Sequence, residues 1–249
     1  MTTHRPTLKE LELEIESHKN LEQAEFLSRF FKTGKGEYAE GDRFLGIRVP
    51  VQRAIAKNYK NLTLKEIVQL LQSPWHEKRL IALVLLEDRY NNPKSDPFYK
   101  NSEQNIQIQK EVYQAYISNF PKINNWDLVD ISAHKIVGRH LYDRDREVLY
   151  KWAKSKTLWE RRIPIISTYY FIQRRDFKDT LALSELLLKD SEELMHKACG
   201  WMVREIYKKD SKLALAWIEK YKLQMHRTML RYAIEKVPEK KRKDILNAR

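Results

Sequence analysis

The chain has 249 residues, enough to bury a substantial core as one large domain or as a short repeat array. Its 47 Lys and Arg against 34 Asp and Glu give a net charge of +13, which points to an anionic partner, nucleic acid ahead of an acidic membrane surface. A single cysteine, Cys199, excludes an intramolecular disulfide and any cysteine-built zinc or iron–sulfur centre.

Only 6 Gly and 8 Pro punctuate the chain, and 3.6-residue periodicity fills the stretches between them, so the expected class is all-α. Met1 to Thr7 lacks the apolar run of a secretion signal, and Ile81 to Leu86 is too short an aliphatic run to cross a bilayer. A reducing, cytoplasmic setting is the expectation. Thr7 with Glu10 reads as a capping box opening a first helix that ends near His18. Asn20 caps a second helix ending near Thr33, and the glycines at 34, 36, 41 and 46 mark one long loop. Pro50 starts a helix carrying Gln52, Arg53 and Lys57. Further helices are expected at roughly 63–72, 75–90, 103–119, 125–139, 145–154, 158–173, 177–188, 191–208, 211–221, 225–236 and 239–247.

The chain also repeats itself. His76-Glu77-Lys78-Arg79 aligns with Trp159-Glu160-Arg161-Arg162, and Met195-His196-Lys197 with Met225-His226-Arg227, each opening an apolar helix. About two repeat lengths of 40 residues separate Arg79 from Arg162, within the range of HEAT-like helical hairpins. The expected architecture is therefore HEAT-like helical repeats stacked into a curved solenoid, a single domain over 1–249. Its concave face would be basic, lined by Arg79, Arg162, Lys197, Arg204, Arg227 and Arg231, with about half of them reaching phosphate and the rest pairing with acids such as Glu77 or Glu205.

Within this basic frame Asn125-Trp126-Asp127-Leu128-Val129-Asp130 places an indole and a carboxylate four residues apart, on one face of a helix. An enzyme acting on a polyanion would use such a carboxylate where positive charge develops. Packing is the plainer role for Trp126 and for Trp201, and a salt bridge for Asp130; Asp127 suits the helix N-terminus. His134, four residues after Asp130, could tune that carboxylate or simply pack. No histidine spacing suggests a metal, and the glycines at 34 to 46 lack a phosphate-loop ending.

Together these features resemble the AlkD-type DNA alkylation repair family, HEAT-like DNA glycosylases. Phe44-Leu45-Gly46-Ile47-Arg48-Val49-Pro50-Val51-Gln52-Arg53 is similar to the family's Gly-x-Arg-x-Pro segment. The His76–Arg79, Trp159–Arg162 and Gly200-Trp201-Met202-Val203-Arg204-Glu205 segments follow in register with the Trp–Asp motif. The resemblance implies hydrolysis of the glycosidic bond of cationic N3- and N7-alkylated purines in double-stranded DNA, with no metal or cofactor. A repeat array of this length is expected to stand alone, as a monomer with no obligate protein partner. It implies Asp130 as the catalytic carboxylate and Trp126 and Trp201 as aromatics flanking the lesion's sugar. Arg162 would hold the adjacent phosphate, Arg204, Arg48 and Arg53 would add DNA contacts, and the aromatic of the second helix falls at Phe30, or at Phe31 with a one-residue slip. Bound to DNA, the protein would associate with the nucleoid. Two other functions fit the residues: a non-catalytic binder of damaged or branched DNA, and a helical scaffold for an acidic protein.

Overall fold

The computed structural model describes residues 5–248, so the reading of Met1–His4 lies outside the described residues. Among these residues helices dominate and there is no β-strand, only an isolated bridge between Arg43 and Trp75. No helix among them is long and apolar enough to cross a membrane. The chain forms two compact units, Met1–Ser132 and Ala133–Arg249.

In the first unit, α1 (Leu8–Ser17) begins with the expected Thr7–Glu10 capping box, and α2 (Leu21–Phe30) is capped by Asn20, which accepts from the Gln23 amide. The loop then runs to α3 (Val49–Asn58), followed by α4 (Leu64–Leu71), α5 (His76–Asn91), α6 (Gln104–Ile117) and α7 (Trp126–Ala133). A second capping box, Thr63 with Glu66, opens α4. α5 is the hub: it packs on α3, α4 and α6 and buries Leu80, Ile81, Leu83, Leu85 and Leu86. By contrast α2 buries no residue and exposes Leu21, Phe26 and Phe30.

The second unit opens with a π turn (His134–Gly138) and continues through α8 (Arg139–Leu141), α9 (Glu147–Trp152), α10 (Leu158–Ser167), α11 (Tyr169–Ile172) and α12 (Lys178–Leu186). It ends with α13 (Glu193–Lys209), α14 (Ser211–Tyr221), α15 (Arg227–Ala233) and α16 (Glu239–Asn247). Packing runs between neighbours in chain order: α13 lies against α10, α11, α12, α14 and α15. That nearest-neighbour pattern, seen also around α5, is how stacked helical repeats bury their apolar faces.

Two expected helices are broken. Residues 125–139 change from α to π at His134, and 158–173 divides at Thr168. Pro164 removes one amide donor from α10, and the hydroxyls of Ser167 and Thr168 donate back to the carbonyls of Ile163 and Ile165 at 2.7 Å. The π turn sets the backbone of Gly138 against Ser167, where a methyl group would lie 2.2 Å from the carbonyl oxygen. An apolar period reads none of this.

Gly200 plays the same part where α13 meets α15. A Cβ there would lie 2.4 Å from the Met229 carbonyl oxygen and 2.6 Å from the Tyr232 Cβ. A backbone oxygen on one side and a Cβ tied to its own backbone on the other leave little room to yield, so Gly200→Ala is expected to destabilise by about 2–3 kcal/mol. A shifted urea midpoint at unchanged slope would register it; an unchanged midpoint would mean the crossing is loose.

Candidate functional site

The long loop of the first unit is held by one side chain. Glu77, fully buried near the start of α5, accepts backbone hydrogen bonds from Leu45 at 2.9 Å, Gly46 at 2.8 Å and Ile47 at 3.2 Å. The Gln52 amide donates to the Ile47 carbonyl at 2.6 Å, closing the turn into α3. This clamp fixes the loop that carries Asp42.

Asp42 belongs to a buried charge network around His76. His76 Nδ1 lies 2.8 Å from Asp42, and Nε2 lies 2.8 Å from Asp127 in the first turn of α7. Arg79 donates to the other Asp42 oxygen at 2.6 Å, and the Asn125 amide reaches Asp42 at 3.3 Å. Burial opposes charge on His76, but the two carboxylates outweigh it and push its pKa up to about 9. Asp42 responds in the opposite sense: burial would raise it, yet His76 and Arg79 hold it down at about 2.

The consequence for stability has a definite sign. A histidine raised from 6.5 to about 9 on folding contributes stability that is complete below 6.5 and lost as pH climbs through 9. For so deeply buried a ring the contribution is on the order of 3 kcal/mol. Urea midpoints should therefore fall between pH 6.5 and 9, and His76→Gln should remove that decline. A wild-type midpoint flat across this interval would contradict a charged His76.

This network underlies the Trp–Asp helix. The Trp126 indole stacks on Phe31 at 5.1 Å and 21°, meets Phe30 edge-on at 6.2 Å, and donates through Nε1 to the Tyr38 hydroxyl at 3.3 Å. Phe31 is buried, whereas Phe30 is 55% exposed, so Phe30 is the ring of the pair presented to solvent. Asp130 stands half-buried one turn beyond Trp126, flanked by buried Leu128 and Val129. Its charge reaches Tyr116, whose phenol is raised chiefly by burial and further by Asp130. Asp127 is occupied differently: one oxygen accepts from the Leu128 amide at 2.8 Å and the other faces His76.

In the second unit Trp201, on α13, donates through Nε1 to Glu205 at 3.0 Å and lies 6.1 Å from the Tyr169 ring. Tyr169 meets His134 edge-on, and burial with the Lys135 charge lowers the His134 pKa to about 4, leaving it neutral at physiological pH. Arg204 pairs with Glu235 and lies 3.6 Å from Glu205. Arg162 is buried and donates to the Leu194 carbonyl at 2.5 Å, while Arg227 bonds the Leu246 carbonyl at 2.9 Å. Lys197 pairs with Glu193 at 3.4 Å. Arg48 and Arg231 are exposed, and Arg53 is half-buried.

The repeated cations turn out to have a structural task that their spacing concealed. The fourth residue of α5, Arg79, donates to the carbonyl of Ser73, six residues back, at 3.1 Å. The fourth residue of α10, Arg161, does the same to Ser155 at 3.0 Å, and the fourth of α13, His196, to Asp190 at 2.7 Å. Arg161 also carries a carboxylate partner, Asp190 at 2.7 Å, as Arg79 carries Asp42. Arg79 therefore corresponds to Arg161, one position away from the sequence alignment. Arg79 is one of the repeated cations that pairs with an acid: buried, it ties the loop before α5 to that helix. Neither His76 nor Asp42 stood out in the sequence, because their partners are dispersed along the chain and form no local motif.

An all-α chain of stacked helices with an indole–carboxylate turn on α7 matches the family model for DNA alkylation repair enzymes over residues 11–237. The chain belongs to that family, which places its role in the repair of alkylated DNA, with DNA as the substrate. A solved structure of a predicted DNA alkylation repair enzyme from Enterococcus faecalis is similar at a TM-score of 0.62 and 18% identity, covering 89% of this chain and 98% of that one. No curated protein matches the sequence.

Proposed function

We propose that the protein is a monofunctional DNA glycosylase that hydrolyses the N-glycosidic bond of cationic N3- and N7-alkylated purines in duplex DNA, acting as a monomer and as one functional domain over 1–249. The observation that carries this reading is the turn of α7 that presents Trp126 and a half-buried Asp130 side by side, above an anchored helix start.

The chemistry asks little of the protein. An alkylated purine already bears positive charge, so the C1′–N bond breaks with its electron pair passing to the base, which leaves neutral. The sugar becomes oxocarbenium-like, the species that carboxylates stabilise in glycoside hydrolysis. In this reading Asp130 faces that charge and orients a water, which adds to C1′ and loses its proton, leaving an abasic sugar. The indole face of Trp126 adds cation–π stabilisation. Phe30 supplies an aromatic contact to DNA. Among the basic residues, exposed Arg48 and Arg231 and half-buried Arg53 suit phosphate directly, while Lys197, Arg204, Arg227 and Arg162 would engage it by exchanging or sharing their present partners. A substrate that brings its own charge needs no metal or redox group for this step.

Incubation with methylated and unmethylated duplexes of one sequence tests the reading. Abasic sites accumulating only in the methylated duplex are expected. Equal binding of both duplexes without abasic sites would instead favour a DNA binder on the same scaffold.

A further inference from the structure

We propose that His76 is a positioning residue for this site: as a buried cation bridging Asp42 and Asp127, it fixes the first turn of α7 and the orientation of the Trp126 indole. The proposal rests on the glycosylase reading for its effect on rate, but its geometric part stands independently.

Hydrogen-bond inventory requires the cation. A neutral imidazole offers one donor and one acceptor, while an ionised carboxylate only accepts. His76 has a carboxylate oxygen 2.8 Å from each ring nitrogen, so both nitrogens must carry hydrogen. The charged groups facing the ring are Asp42 from the long loop and Asp127 from α7, with Arg79 of α5 on the far oxygen of Asp42. Two negative and two positive charges balance. The ring's other neighbours are aromatic: Phe44 at 4.6 Å and Phe31 at 5.1 Å.

His76 therefore reaches Trp126 by two routes. One is ionic and ends on Asp127, the residue next to Trp126 in the chain. The other is aromatic and passes through Phe31, whose ring is tilted against His76 at 5.1 Å and stacked on Trp126 at 5.1 Å. Packing alone would be served at lower desolvation cost by an apolar side chain. What the ion pair adds is direction: it holds the opening of α7 at one rotation about its axis, and that rotation aims both Trp126 and, one turn on, Asp130. Loss of the proton would leave one carboxylate facing a lone pair and release the helix start.

The test follows the indole directly. In ¹⁵N-labelled protein the Trp126 Nε1–H resonance, assigned with Trp126→Phe, is tracked from pH 6 to 10. It is expected to titrate with a midpoint near the His76 value of about 9, and to lose that titration in His76→Gln and in Asp127→Asn. The single-turnover rate of 7-methylguanine release should fall by about tenfold or more in His76→Gln, with DNA affinity within about twofold of wild type. A Trp126 resonance invariant with pH in the wild type would overturn the proposal, and that arm needs no variant to fold. So would a His76→Gln protein with wild-type release. If the wild type released no base, the glycosylase reading would fall while the indole titration still decided the positioning role.

Discussion

Asp130→Asn is expected to slow base release by on the order of a hundredfold while leaving DNA affinity within about twofold of wild type. Removing one preorganised charge from a developing cation costs about 3 kcal/mol of transition-state stabilisation. Asparagine keeps the volume and one hydrogen-bonding oxygen, so the fold is expected to survive the change. Asp127, three residues earlier, makes the comparison informative. It faces His76 at 2.8 Å and also accepts the Leu128 amide, so its charge is already balanced inside the first unit. Asp127→Asn should act through helix position and carry a change in the Trp126 environment; Asp130→Asn should act on the rate alone. Stopped-time assays on a duplex with one 7-methylguanine, run beside titrations of the same duplex, separate the two. Equal rates for wild type and Asp130→Asn would remove Asp130 from the chemistry.

Glu77→Ala is expected to cost on the order of 4 kcal/mol of stability, a large share of what a domain of this kind possesses. Three backbone amides, those of Leu45, Gly46 and Ile47, converge on its buried carboxylate. Truncation strands all three donors, and the loop that delivers Asp42 to His76 loses its clamp. Glu77→Gln should be milder, about 2 kcal/mol, because the amide oxygen still accepts while its nitrogen opposes a donor. Urea unfolding of the two variants at pH 7 checks both the size and the order. A Glu77→Ala protein as stable as wild type would show that the loop is held by its apolar residues instead.

Much of this architecture was legible in the sequence, and the reasons are local. The capping box at Thr7, the Asn20 cap, and apolar residues spaced for one helical face each act within a few residues. The helix boundaries they imply agree closely with the structure. The Trp126–Asp130 pair was visible for the same reason, since i and i+4 lie on one face of any helix. Features set by tertiary approach were not visible. The π turn at His134 depends on how closely Gly138 meets Ser167, and the break at Thr168 on hydroxyls turning back to carbonyls. The His76 network is the clearest case. Asp42 and Asp127 are distant in sequence from the His76–Arg79 turn, and nothing local to that turn names them as its partners. The repeated arginines carry a second, structural signal: a loop strut recurs at Arg79 and Arg161, and spacing alone does not separate it from a groove cation.

The most direct test of the central claim is the appearance of free 7-methylguanine from a methylated duplex, with wild type and Asp130→Asn compared at equal DNA occupancy. Free base and abasic DNA with the wild type, and almost none with the variant, are the predicted result. Full occupancy with no free base from the wild type would contradict the account and leave a protein that binds DNA without cleaving its glycosidic bonds.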